Sequence, residues 1–317
     1  MPGEIKYPSV EVIIPTLNSM KTLPDCIEGI MKQDYAGKIK ISVADGGSSD
    51  GTVEYLQKKD IDVIVIPGLY MHGINGAYNT LIKRSSSDLI WHIDSDNIVL
   101  EKDTLSNLVE PFIEDRGINI SIPEYSIDGG SSMLNKWLSF MDICNINYIK
   151  YKLGKFNGKY FLIDDMPYGL TNASLLRRDA IIAVGGFDSD VKTLERLRGL
   201  KISRCAIVPS AHIYHFQTTS IKEYVQKQVR RIRKLANMTA SELKNYYVYF
   251  PRNTTKDKKM WLFNFRFSSL LIPFISIGQR GYFKYVKYGI LWLILVYLIV
   301  LTHPFIFLKA YKKHFVK

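Results

Sequence analysis

Cysteine is scarce in this chain and comes singly: Cys26, Cys144 and Cys205 are the three in 317 residues. No two stand at C-x-x-C spacing and their number is odd, which argues against a disulfide framework or a zinc ribbon. A reduced, cytosol-facing protein is the expectation. The opening Met1-Pro2-Gly3-Glu4-Ile5-Lys6 lacks the apolar core of a secretory signal. No internal repeat appears.

Acidic residues run out toward the C-terminus. Residues 218–317 hold three Asp and Glu against 19 Lys and Arg, a net of +16, whereas residues 1–217 hold 27 against 23, a net of −4. The overall charge of +12 therefore comes from the last third, which suits nucleic acid, an anionic membrane surface or a phosphorylated substrate. The same third carries the longest uncharged apolar run, Gly289 to Leu308, long enough to cross the hydrocarbon core of a bilayer. Basic residues beside such a run favour anionic lipid over nucleic acid. A membrane is thus an expected partner and nucleic acid is not. Lys284 and Lys287 flank one side, Lys309, Lys312 and Lys313 the other, and Pro304 interrupts the run. Balanced flanks leave a span and a re-entrant helix both open over 285–308. Residues 261–279, with Arg266 and Pro273 inside, read as an interfacial helix.

The first third is ordered by apolar periodicity. Val10 to Ile14, Ile39 to Ala44, Asp62 to Ile66 and Leu89 to Ile93 read as strands. Between them, 22–33, Thr52 to Lys59 and Gly76 to Lys83 carry helical spacing, with Pro24 in the first turn of the first. Strands alternating with helices predict βαβ units and a mostly parallel, Rossmann-like α/β sheet. Ligands of such sheets bind at the carboxyl ends of the strands. Those ends carry Pro15-Thr16-Leu17-Asn18, Asp45, Pro67-Gly68 and Asp94-Ser95-Asp96. A helix is expected near 103–115, residues 118–170 show no readable order, and Ala206 to Pro209 is a further strand leading to His212 and His215.

Asp94-Ser95-Asp96 sets two carboxylates on one turn after an apolar strand. Acids at i and i+2 suit a metal and a ribose hydroxyl together, and Mg²⁺ or Mn²⁺ so held neutralises a leaving diphosphate. Taken alone, such a pair more often caps the next helix.

Its context is more specific. V-E-V-I-I-P-T-L-N (10–18), V-A-D-G-G-S-S-D-G-T (43–52), G-I-N-G-A-Y-N (73–79) and D-L-I-W-H-I-D-S-D-N (88–97) stand in an order that resembles glycosyltransferase family 2, the inverting transferases with the GT-A fold. The resemblance covers about residues 8–235. It implies a metal-dependent enzyme using a UDP- or GDP-sugar donor, with Pro15, Thr16, Asn18 and Asp45 holding the nucleotide. Asp94 would meet the ribose beside Ser95, and Asp96 with His215 the metal. The family's general base follows a G-G-F segment; here Gly185-Gly186-Phe187 leads to Asp190, with Asp188 as the fallback. Gln228-Val229-Arg230-Arg231 resembles the family's Q-x-x-R-W, so Gln228 and Arg231 are expected at the acceptor or diphosphate. A solvated or lipid-facing basic surface is the competing reading of that helix. Four positions depart from the family: it commonly has Arg where Tyr78 lies, a third acid is frequent where Asn97 stands, Ser189 replaces the Glu usual before the base, and Ile232 replaces the Trp of Q-x-x-R-W.

The expected organisation is a GT-A domain over 1–236 and a basic, membrane-associated helical extension over 237–317. It would act on a lipid-linked or other saccharide acceptor, with the catalytic domain facing the cytoplasm; homo-oligomerisation is open. The alternatives are a polyprenyl-phosphate glycosyltransferase similar to dolichol-phosphate mannose synthase, and a non-catalytic membrane scaffold on the same fold.

Overall fold

The computed structural model describes residues 7–69, 74–128, 130–166, 173–188 and 190–217, with 220, 222, 223 and 226 beyond them. The apolar runs 261–279 and 285–308, the basic helix with Gln228 and Arg231, and the expected boundary at 236/237 lie outside the described residues. Among those described, no helix is long and apolar enough to cross a membrane. The chain forms two compact units, Met1–Glu124 with Lys150–Phe216, and Tyr125–Ile149 with Gln217–Lys317.

The first unit is built on one sheet. Its opening strands are β1 (Val10–Thr16), β2 (Ile39–Asp45), β3 (Asp62–Val65) and β4 (Leu89–His92), in spatial order β3-β2-β1-β4 and parallel throughout. Every residue of β1 is buried, as a near-continuous apolar run requires when a strand is covered on both faces. The crossovers carry α1 (Leu23–Met31), α2 (Thr52–Lys58) and α3 (Ile74–Arg84). In α1, Leu23, Cys26, Ile27 and Ile30 are buried, the i, i+3, i+4, i+7 stripe of a core-facing helix.

Beyond β4 the sheet departs from expectation. After β5 (Asn97–Val99) and α4 (Thr104–Glu114) come β6 (Ile120–Tyr125), α5 (Met133–Leu153) and the hairpin β7 (Lys155–Phe156) and β8 (Phe161–Ile163). Then follow β9 (Leu175–Arg177), α6 (Arg178–Ala183), α7 (Asp190–Gly199) and β10 (Cys205–His215). β9 pairs antiparallel with both β4 and β6, and β10 pairs antiparallel with β8 and β5. The sheet is therefore mixed rather than mostly parallel. β9 sits between β4 and β6 and runs antiparallel to both, which breaks the parallel order. The segment that held no readable order contains β6, α5 and the edge hairpin. α5 hides from periodicity because polar residues (Asn135, Lys136, Asp142, Asn145, Asn147) are scattered through its length.

β10 is longer than its apolar core predicts and ends on His215, which pairs with Asn97 of β5. α1 approaches β5 so closely that a Cβ on Gly29 would lie 2.4 Å from the Val99 carbonyl oxygen. These two contacts seat the short turn between β4 and β5 at the carboxyl edge of the parallel strands. In the second unit, Gln217 donates from its backbone to Asn135 Oδ1 (3.1 Å) and from its side chain to Asp142 Oδ2 (2.7 Å).

Candidate active site

The site is made of loops that leave β1, β2 and β4 at the same edge. Pro15 and Thr16 are buried within β1, opposite Ala44 and Asp45. The Asp45 carboxylate is buried and ties the two loops together. Its Oδ2 accepts from Thr16 Oγ1 (2.8 Å) and Ser48 Oγ (2.6 Å), and its Oδ1 from the backbone N–H groups of Gly47 (2.9 Å) and Ser48 (2.7 Å). Four donors fill the lone-pair sites of a carboxylate. A direct contact from Asp45 to a base would therefore need one donor, the rotatable Ser48 hydroxyl first, to yield.

Asn18 has a left-handed backbone (φ 52°), which Asn tolerates better than most residues. It is exposed, donates its N–H to Ser48 Oγ (2.8 Å) and accepts from Ser49 N–H (2.9 Å) on Oδ1. Met20 N–H and Thr52 in turn donate to Asp50. Burial would raise the Asp50 carboxyl, but these hydrogen bonds, from Thr52 first, hold it below its ordinary range. Two consecutive strand-end loops are thus laced into one polar rim.

Asp94-Ser95-Asp96-Asn97 is a β-turn, closed by Asn97 N–H on the Asp94 carbonyl (3.0 Å). The buried Asn97 side chain returns the bond, accepting from Asp94 N–H at 3.2 Å. The position where the resemblance leads one to expect an acid thus holds the turn's shape. Ser95 Oγ donates to Ser19 Oγ (3.0 Å), joining the turn to the β1 loop. Phe216 N–H donates to the Asp96 carbonyl (2.8 Å), joining it to the end of β10. His215 Nε2 consequently stands 3.7 Å from Asp96 Oδ1. Among the described residues no cluster of three or more His, Cys, Asp or Glu forms a metal cage. The Asp96 and His215 pair offers one oxygen and one nitrogen, a donor set that suits Mn²⁺ better than Mg²⁺.

Beneath the turn, Cys26 Sγ lies 3.8 Å from the Asp94 carbonyl. Burial first, then the charges of Asp96 and Asp94, push that thiol up, so it stays protonated. Tyr78, completely buried on α3, donates its hydroxyl to Asp94 Oδ1. Its ring is T-shaped against His92 (4.3 Å) and 5.5 Å from Phe187, and His92 stacks on Phe187 at 4.9 Å. Burial pushes His92 down to about 4, and its Nδ1 has no partner among the described residues.

The Gly185-Gly186-Phe187-Asp188 segment is held by α3. Asn79 accepts from Phe187 N–H and donates to the Phe187 carbonyl, both at 2.7 Å, and Asn75 donates to the Asp188 carbonyl. The Asp188 carboxylate is engaged by Arg196 (2.9 Å) and Lys192 (3.5 Å). Asp190 opens α7 directly after it. Gln228 and Arg231 lie outside the described residues. Sequence reasoning did not single out Asn79, His92 or Phe187 as parts of the site. Asn79 and Phe187 lie inside the G-I-N-G-A-Y-N and G-G-F segments, but their pairing joins residues 108 apart and no sequence signal marks it.

A family model described as glycosyl transferase family 2 matches residues 11–185. An N-acetylglucosaminyltransferase of Mesorhizobium japonicum is 38% identical over 114 residues, 34% of this chain and 26% of that protein. The Escherichia coli UDP-Glc:alpha-D-GlcNAc-diphosphoundecaprenol beta-1,3-glucosyltransferase is 29% identical over 134 residues, 41% of this chain and 51% of that protein. The matched stretches thus span a quarter to a half of these relatives' own length. The mannosyltransferase of Pyrobaculum calidifontis, solved in complex with GDP-Man and Mn²⁺, superposes with a TM-score of 0.55 at 17% identity, covering 96% of this chain and 87% of its own. At that identity the likeness is one of fold.

Proposed function

Since this chain belongs to glycosyl transferase family 2, we propose that it is a glycosyltransferase moving a sugar from a UDP- or GDP-sugar to a hydroxyl of a lipid-linked saccharide, with inversion at the anomeric carbon and with a divalent metal. The observation that carries this reading is the approach of His215 Nε2 to Asp96 Oδ1 at 3.7 Å, on a turn bonded to the nucleotide-type loop of β1. Residues far apart in sequence meet where a donor diphosphate would need them.

In this reading the rim formed by Thr16, Asn18, Asp45 and Ser48 seats the nucleotide, and Asp94 faces the ribose. Asp96 and His215 would hold Mn²⁺ or Mg²⁺, which when bound neutralises charge on the departing nucleoside diphosphate. The acceptor oxygen forms a bond to the anomeric carbon as the carbon–oxygen bond to the diphosphate breaks. Asp190 takes the acceptor's proton, with Asp188, whose Oδ2 is ion-paired with Arg196 and Lys192, as the fallback. The acceptor class is supported by the diphosphoundecaprenol-linked substrate in the name of the Escherichia coli relative. The basic C-terminal third and the apolar run 289–308 support it too, and in this reading they attach the chain to the cytoplasmic face of a membrane. A nucleotide-sugar panel tests the donor half: at least one UDP- or GDP-sugar should raise the melting temperature with Mn²⁺ and not with EDTA. No stabilisation by any donor would speak for the scaffold alternative.

A further inference from the structure

Tyr78, one of the residues that depart from the family pattern, is held in place by the fold. Tyr78 stands where an Arg is common, and an Arg there would carry its own positive charge toward a donor. Here the side chain is buried to 1% exposure, its ring is walled by His92 and Phe187, and its hydroxyl donates to Asp94 Oδ1. A phenol walled on two sides by aromatic rings has little rotational freedom, so the oxygen it offers is fixed in space. The wall itself is anchored: Phe187 is clamped at both backbone groups by Asn79, one residue along α3 from Tyr78. A neutral donor also leaves the carboxylate's negative charge in place, whereas a guanidinium would pair with it.

We propose that Tyr78 is a positioning residue for donor binding, holding the Asp94 carboxylate in the orientation that meets the ribose of the nucleotide sugar. The proposal rests on the assignment of Asp94 to the donor given above. It makes α3 a brace for the turn rather than a source of a direct phosphate contact. His92, kept neutral by burial, serves the brace as an aromatic plane.

The exchange Tyr78→Phe removes one oxygen and keeps the ring. With full-length protein and the nucleoside diphosphate as probe in Mn²⁺, its dissociation constant should rise about tenfold, because Asp94 must then be held in its binding orientation at the cost of binding. The donor KM should rise in step, with the acceptor KM unchanged, while the melting temperature falls by the few degrees that one buried hydrogen bond contributes to the free protein. A merely structural residue would move the melting temperature and spare that split. Asp94→Asn and the double variant close a cycle. If Tyr78 acts through Asp94, Tyr78→Phe should add less than about a threefold change in the Asp94→Asn background, the scatter expected of independent sites. Unchanged donor affinity in Tyr78→Phe, or an equal loss in both backgrounds, overturns the proposal. No effect of Asp94→Asn on donor affinity would instead overturn the assignment of Asp94 itself.

Discussion

His92 offers a perturbation whose size can be worked from the structure. It is buried between Tyr78 and Phe187, its Nδ1 has no partner among the described residues, and burial lowers it from 6.5 to about 4. A depressed histidine binds its proton later in the folded state than in the unfolded one. Stability from this source is therefore complete above the unfolded value and is lost as pH falls from 6.5 toward 4. The full difference is about 3 kcal/mol, of which about 2 kcal/mol is lost between roughly pH 7.5 and pH 5. His92→Phe keeps a ring of similar size in the stack and removes the titration. At about pH 7.5 the variant should match or exceed the parent, because a buried unpaired nitrogen costs about 1–3 kcal/mol. By about pH 5 the variant should have gained a further 4–8 °C or so over the parent, at about 2–4 °C per kcal/mol for a domain of this size. Melting curves of both proteins at several pH values read this directly. Parallel pH dependences would refute the reasoning, and a large loss in the variant at neutral pH would mean that Nδ1 has a partner.

Two further outcomes are expected. Asp190→Asn should lower turnover about a hundredfold to ten-thousandfold at unchanged donor KM, the range for loss of a general base; near-normal turnover would favour an already ionised phosphate acceptor. Gly185 and Gly186 both have left-handed backbones (φ 79° and 87°), but a Cβ on Gly186 would lie 2.4 Å from Asn79 Oδ1, whereas one on Gly185 meets nothing within 4 Å. Gly185→Ala should cost about 1 kcal/mol, and Gly186→Ala clearly more, because it also breaks the clamp on Phe187; equal melting temperatures would contradict the clamp.

The parallel half of the fold was legible because β1 through β4 and their helices carry strong, regular periodicity and end in turn residues. The antiparallel half was not. β9 has three residues and β7 two, too short for a period to register, and polar residues scattered along α5 mask its helical character. At the site, the family resemblance points to Asp94, Asp96 and His215, and the fold brings Asp96 and His215 together. The roles of Asn97 and Asp45 were less visible. Sequence marks a polar residue at a strand end but does not say whether it faces a ligand or its own loop, and these two turn inward. Tyr78 registered only as a departure from a family pattern, because its partner is sixteen residues away on another element.

In the proposed reaction, Asp96 with His215 makes donor turnover depend on a divalent metal. Initial rates of nucleoside-diphosphate release from the donor sugar, measured across a Mn²⁺ titration for the parent and for Asp96→Asn, test it most directly. The expected result is no release without metal, saturable activation in the parent, and a loss of about a hundredfold or more in the variant that added Mn²⁺ only partly restores. Equal rates with Mn²⁺ and with EDTA in the parent, or a variant with an unshifted Mn²⁺ dependence, would contradict it.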